Sequence, residues 1–303
     1  MIRPLDPEAD APAIVELIHE IFPSGVTTVE SWRQLEASVP TRARRAAWVA
    51  VVDDAVVAWA QASLNWFSDS NTVFAGVSVR EGFRRRGIGS RMWKLAEEHV
   101  RQLAPTRVLS MFVETPEGVA FARARGFAEV RAETLARVDP RRVDVASLDD
   151  ARIELVPLRE LSPEAVYEID MITTRDVPMT DRVDEMRYED WLNFIWRRPT
   201  LTLDGSFAAI DDGRPVAITM LTANLEKGRA FNEYTGTLPS HRGRGLARLV
   251  KLAALRWASE NGVTSVWTTN DETNAPMLAV NRRLGYEPRL RRVEYLREAE
   301  TAF

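Results

Sequence analysis

The amino-acid sequence predicts an α/β fold with a mixed (α+β) sheet, made twice over in tandem. Three observations carry this. The chain has 303 residues, more than one small domain uses. Two separated segments repeat one pattern of strand, glycine-rich turn and helix: VFAGVSVREGFRRRGIGSRMWKLAEEHV from Val73 and NEYTGTLPSHRGRGLARLVKLAALRWA from Asn232. Blocks on either side of these segments repeat in the same order.

Composition narrows the function classes. Hydrophobic residues at 45% and charged residues at 28% suit a folded core with a charged surface. The net charge of −4 gives no global basic field for nucleic acid, so no nucleic-acid partner is expected. With no cysteine and only His19, His99 and His241, thiolate chemistry and histidine-rich metal centres are excluded, and no metal is expected. None of the three histidines lies near a G-x-S-x-G pattern, which argues against a serine hydrolase. The start MIRPLDPEAD is not a signal sequence and no segment has the length of a membrane span, so a cytoplasmic protein without a membrane partner is expected.

Each element follows in order. After the Asp-Pro pairs near the start, Ile14, Leu17, Ile18 and Ile21 recur at helical spacing, a core stripe of the first helix. WVAVVDDAVVAWAQ from Trp48 and FAAIDDGRPVAITM from Phe207 each read as two apolar strands around an Asp-Asp turn. The next strand enters the glycine turn, and setting Arg84 on Arg242 puts Gly87 on Gly245 and Gly89 on Ala247 without a gap. The following helix buries Leu249, Leu252, Ala253 and Leu255 in the second copy. A further strand and helix end at ARARGF and NRRLGY, and closing strands follow. The junction lies near RVDPRRVDVASLDDARIELVPL, where charges and Pro140 dominate, which divides the chain into residues 1–140 and 150–303.

The turns carry the chemistry. A strand running into Arg-x-x-Gly-x-Gly/Ala and then a helix exposes backbone N–H groups at a helix N-terminus, where the partial positive charge favours phosphate. Copy one supplies Arg84, Arg85, Arg86, Gly87, Gly89 and Ser90; copy two supplies Arg242, Gly243, Arg244, Gly245 and Ala247. An incomplete glycine fingerprint in a meander excludes a dinucleotide fold, and without Gly-Lys-Ser/Thr the turn is not a P-loop. Both turns, with the late Arg125-Gly126-Phe127 and Leu284-Gly285-Tyr286, resemble the acyl-CoA pyrophosphate loop and closing turn of the GNAT (GCN5-related N-acetyltransferase) superfamily. The resemblance covers most of the chain as two tandem GNAT folds. Their arrangement, with one weaker copy, is similar to that of mycothiol synthase, a two-domain member of the superfamily.

The resemblance implies direct transfer of an acetyl group from acetyl-CoA to a primary amine of a small molecule. Backbone N–H groups at Val77 to Val79 and at Thr235 to Thr237 would hold the acyl carbonyl. Copy two has Glu233 where the family commonly places a water-linked base, and copy one has Ala75, which assigns the chemistry to the C-terminal copy. Glu233 also reads as an exposed strand glutamate. Asn270 and Asn274 serve either as caps or as partners of the pantetheine arm. Where many members carry a tyrosine acid, this chain has Ala122 and Asn281, leaving Tyr286 or Tyr234 or water to protonate the thiolate. Asp170, Asp176, Met179, Trp191 and Trp196 are candidates for the acceptor groove, the tryptophans equally for core. A monomer or homodimer is expected, and a non-catalytic acyl-CoA-binding or ligand-sensing protein is the alternative function.

Overall fold

The computed structural model describes residues 1–68, 70–148, 151–180 and 186–299. Copy one runs β1 (Ile2–Pro4), α1 (Ala11–Ile21), α2 (Val29–Ser38), β2 (Ala46–Val52), β3 (Ala55–Leu64), β4 (Thr72–Val79), α3 (Ile88–Leu103), β5 (Arg107–Val113), α4 (Pro116–Arg123) and β6 (Ala128–Val138). Copy two repeats it as β7 (Glu154–Pro157), α5 (Pro163–Thr174), α6 (Tyr188–Trp191), β8 (Phe207–Asp211), β9 (Arg214–Asn224), β10 (Arg229–Thr237), α7 (Leu246–Glu260), β11 (Ser265–Asp271), α8 (Ala275–Arg283) and β12 (Glu287–Glu298). Local chemistry starts the helices: Thr28 and Ser31 cap α2 reciprocally, and Thr115, Ser162 and Asn274 cap α4, α5 and α8 next to a proline in the first turn.

All strands join one sheet in the order β1-β2-β3-β4-β5-β12-β6-β11-β10-β9-β8-β7. The sheet is continuous, and the meander β2-β3-β4 recurs as β8-β9-β10. The closing strands are exchanged. The last strand of copy two, β12, pairs with β5 from Arg292↔Val113 to Glu298↔Arg107, while β6 of copy one pairs with β11. Tyr295 of β12 is thus fully buried in the core of copy one, its ring 5.3 Å from that of Phe112. The division at 140 and 150 follows the sequence repeat, whereas the packed units share these strands; residue 150 and the end at 303 lie outside the described residues.

Helices cover both faces, α1 and α2 packing on one face of copy one through Ala11, Ile14, Trp32 and Val49. α3 and α4 pack on the opposite face of copy one with Val73, Ala75, Trp93, Ala96 and Val108, and α7 packs on the corresponding face of copy two with Leu252, Ala253 and Val266. The other face of copy two is covered by α5 and α6 through Val166, Ile169, Trp191 and Met220. Trp191 is fully buried and stacks 5.6 Å from Trp196, so these two rings form the wall of that core.

Candidate active site

In each copy a parallel strand pair opens into a V. β4 pairs with β5 only from Thr72 to Phe74, and β10 pairs with β11 only from Arg229 to Asn232. Beyond these points the strands diverge and a glycine turn follows. Gly87 and Gly245 begin α3 and α7 with φ of 75° and 77°, and the preceding left-handed position is Arg85 in copy one (φ 61°) and Gly243 in copy two (φ 77°). A non-glycine residue in that region is strained, so copy two forms the turn at lower cost. Arg84 Nε and Arg242 Nε fold back on the carbonyls of Val79 and Thr237 at 3.1 and 3.2 Å. Among the described residues, the backbone amides of Gly243, Arg244, Gly245, Leu246 and Ala247 donate no hydrogen bond. They form an anion seat at a helix N-terminus.

The walls of the two V openings differ. In copy one, Ala75 packs against Trp93, with Val77, Ala122, Phe121 and Phe127 in the same core. Phe121 reaches the first turn of α3: a methyl group placed on Gly89 would lie 3.5 Å from its ring and 3.6 Å from Val79. Arg125 sits 3.4 Å from the centre of the Phe121 ring and donates to Ser90 Oγ at 3.1 Å. Side chains of copy one thus pack against the first turn of α3 at Gly89 and Ser90, while the space beside Gly87 stays open.

In copy two the corresponding positions are polar. Asn232 faces α7, where Lys251 donates to its Oδ1; Thr235 and Thr237 follow on the strand, and Asn281 stands on α8 with its Nδ2 bonded to Asn270 Oδ1. Thr237 Oγ1 and Asn281 Oδ1 are buried without a hydrogen-bond partner. Other side-chain atoms are buried without a partner elsewhere, Tyr295 Oη in the core of copy one among them, but these two flank one opening, where a ligand with its own donors and acceptors would fit. Acyl-CoA has the matching groups, namely amides along its arm and a pyrophosphate for the turn. Asn274 uses its Oδ1 to cap α8, accepting from Met277 N at 3.2 Å.

A β-bulge between Asn232 and Tyr234 turns Glu233 to the opposite face. The strand β4 pairs with β3 without such a shift. The ungapped repeat sets Glu233 against Ala75, but Ala75 packs toward α3 as Asn232 does toward α7, so Glu233 is the extra residue of the bulge. Its Oε1 accepts from Thr222 Oγ1 at 3.0 Å and lies 3.3 Å from Arg198 Nη1. Glu233 and Tyr234 line a cleft of about 690 Å³ under α5 together with Asp170, Asp176, Met179 and Met220. Asp170 is buried, accepts from Trp191 Nε1 at 2.7 Å and Thr174 Oγ1 at 2.9 Å, and burial pushes its carboxyl up. Tyr234 Oη meets Thr173 Oγ1 at 2.6 Å; burial, then the nearby Asp170, pushes its phenol up.

Other expected residues stand elsewhere. Tyr286 is buried in the core with α7, 5.1 Å from Lys251 Nζ to its ring centre, and is not among the residues of the cleft; its expected role as a proton donor to a thiolate meets a phenol pushed up by burial. Arg242 is paired with Asp176, and Arg244 with Asp211 at 2.8 Å, whose carboxyl that bond holds down. In copy one no ion pair is made by Arg84, Arg85 or Arg86 among the described residues, although Arg86 lies over the Phe83 ring at 5.1 Å. Sequence reasoning missed Lys251 and Asn232. Their signal was available in the repeat, which sets Lys251 against Trp93.

The acetyltransferase (GNAT) family model matches twice, over residues 11–127 and 164–286. The chain belongs to the acetyltransferase (GNAT) family. It is similar to a mycothiol acetyltransferase from Thermomonospora curvata, 27% identical over 263 residues, which spans 83% of this chain and 82% of the relative. Among solved structures, a tandem GNAT protein from the clavulanic acid biosynthesis pathway superposes with a TM-score of 0.76 at 25% identity, covering 100% of this chain and 99% of the other. A GCN5-related N-acetyltransferase from Sphaerobacter thermophilus shares the fold, with a TM-score of 0.70 at 20% identity over 98% and 95% of the two chains. The tandem GNAT architecture and the acetyltransferase class follow. No group of metal-ligating side chains occurs among the described residues, and no described helix is long and apolar enough to cross a membrane.

Proposed function

We propose that the C-terminal copy transfers the acetyl group of acetyl-CoA directly to a primary amine of a small molecule. The observation that carries this reading is the polar V of copy two, with two buried and unpartnered oxygens on one face of the sheet and Glu233 in a cleft on the other. In this reading the amides from Gly243 to Ala247 hold the pyrophosphate, with Arg244 beside them. Thr237 and Asn281 complete the hydrogen bonding of the pantetheine arm, and backbone from Thr235 to Thr237 receives the acyl carbonyl. Glu233 takes the proton of the acceptor amine, directly or through water.

The cleft supports an acceptor with a cationic amine on an apolar body. Asp176 and Glu233 supply the acids, each also facing an arginine, Arg242 and Arg198 respectively. Asp170 is taken up by Trp191 and Thr174, while Met171, Met179 and Met220 supply adaptable apolar walls. The test is release of CoA from acetyl-CoA over a panel of primary amines, apolar and hydroxylated. Turnover on at least one amine, favouring apolar bodies, is expected. Acetyl-CoA binding with no turnover on any amine would favour the ligand-sensing alternative instead.

A further inference from the structure

Lys251 is a lysine inside the protein. It lies on the sheet-facing side of α7, 2% exposed, and its Nζ donates to Asn232 Oδ1 while facing the Tyr286 ring. Asn232 is the hub of a closed set of bonds. Its Nδ2 donates to Thr219 Oγ1 at 2.6 Å and to the Met220 carbonyl at 3.3 Å, and its Oδ1 also accepts from Thr235 Oγ1 at 3.1 Å. The Thr219 and Thr235 hydroxyls are 2.8 Å apart, and Thr268 Oγ1 donates to the Asn232 carbonyl at 3.3 Å. Four elements, α7, β9, β10 and β11, are thus tied together where β10 leaves β11 and bulges.

Packing alone does not call for this arrangement. The equivalent positions in copy one are Trp93 and Ala75, both in one hydrophobic core, and a buried amine is costly unless it is hydrogen-bonded or uncharged. Copy one, without the amine, has a regular β4. We propose that Lys251 is a positioning residue for acyl transfer: by holding Asn232 it pins the bulge of β10, and so fixes where Glu233 and the amides of the V stand. This rests on the acyl-transfer reading above and assigns a further positioning residue to that same site. Burial brings the amine down to about 7, so both of its forms are populated near neutral pH. The groups facing it are the Tyr286 phenol ring and the neutral side chain of Asn232; no carboxylate pairs with it among the described residues.

The test compares the parent with Lys251→Met and Lys251→Gln in CoA release from pH 6 to 9, alongside calorimetric acetyl-CoA affinity and thermal unfolding. Lys251→Met removes the donor at similar volume, whereas Lys251→Gln keeps a donor for Asn232 without a titratable amine. The expected result is a kcat loss of about 10- to 100-fold in Lys251→Met, the order expected when catalytic groups are misplaced by about 1 Å. Lys251→Gln should regain most of that rate, because its amide N–H can donate to Asn232 as the amine does. Two results overturn the proposal: Lys251→Met matching the parent in kcat, KM and pH profile, or a folded Lys251→Gln no faster than a folded Lys251→Met. Should Lys251→Met fail to fold, Lys251→Gln alone decides: parent-like kcat supports the role, and a folded Lys251→Gln with kcat reduced about 10-fold or more overturns it. A parent that neither binds acetyl-CoA nor turns over any amine overturns the acyl-transfer reading itself and this role with it.

Discussion

The two V openings share strands, turn and helix, yet their walls differ in kind. Toward α3, copy one presents Ala75, Val77 and Val79, with Trp93 and Ala122 opposite, and Phe121 reaches the turn. Toward α7, copy two presents Asn232, Thr235 and Thr237, with Lys251 and Asn281 opposite. The first wall is ordinary core, stabilised by burial. The second keeps buried polar groups, two of them without a protein partner, which cost stability unless a ligand or water bonds to them. Duplication preserved the backbone frame, and side chains decide which copy is a site.

The largest effect expected from breaking this difference is at the bulge. Glu233→Gln keeps size and hydrogen bonding but removes basicity, so turnover should fall about 10²–10⁴-fold near neutral pH. The deficit should shrink at high pH, where free amine is plentiful; a pH-rate profile of both proteins with one acceptor measures it. Next comes the exchanged strand. Tyr295→Ala should cost about 3–5 kcal/mol, the range for losing a large buried ring. Because Tyr295 belongs to copy two in sequence and to copy one in packing, denaturant unfolding followed by tryptophan fluorescence should show the loss in copy one.

Lys251 sharpens the comparison through pH. Its folded-state pKa near 7 lies below its ordinary value of 10.5, so between these limits the unfolded chain binds the extra proton and stability rises with pH. Below about 7 the penalty is fully present. Thermal unfolding should therefore show the parent gaining on Lys251→Met as pH rises from 7 toward 10, a gain absent at lower pH. The smallest effect is at the turn's edge. Thr237→Val should leave stability unchanged or slightly higher and weaken acetyl-CoA binding by about 0.5–1.5 kcal/mol, the net worth of one hydrogen bond. Val79→Thr in copy one should leave that binding unchanged, as calorimetry can check.

Much of this was legible in the chain. The repeat gave the order of elements in each copy, since Gly87 and Gly245 punctuate strand and helix alike, and Glu233 stood out as a carboxylate with an apolar counterpart. The strand exchange was not legible, because β6 and β12 hold equivalent places in the repeat and either one satisfies the open edge of β5. The bulge was hidden by an alignment without gaps, although the adjacent polar residues Asn232, Glu233, Tyr234 and Thr235 break strict alternation. Lys251, between Val250 and Leu252, reads in sequence as a surface lysine with a buried stem, and only the three-dimensional approach of α7 to Asn232 makes it an interior group.

The measurement that bears most directly on the division of labour is acetyl transfer by two turn variants, Gly245→Asp and Gly87→Asp, each made in the full chain and checked for folding. Both glycines have φ near 75° and open space around the missing side chain, so the two substitutions impose similar local strain. Each also places a negative charge at a helix N-terminus where a phosphate would sit. If copy two is the site, Gly245→Asp abolishes turnover and high-affinity acetyl-CoA binding there, while Gly87→Asp retains the parent's kcat and KM. Loss of turnover in Gly87→Asp with full activity in Gly245→Asp would contradict the account and move the chemistry to copy one.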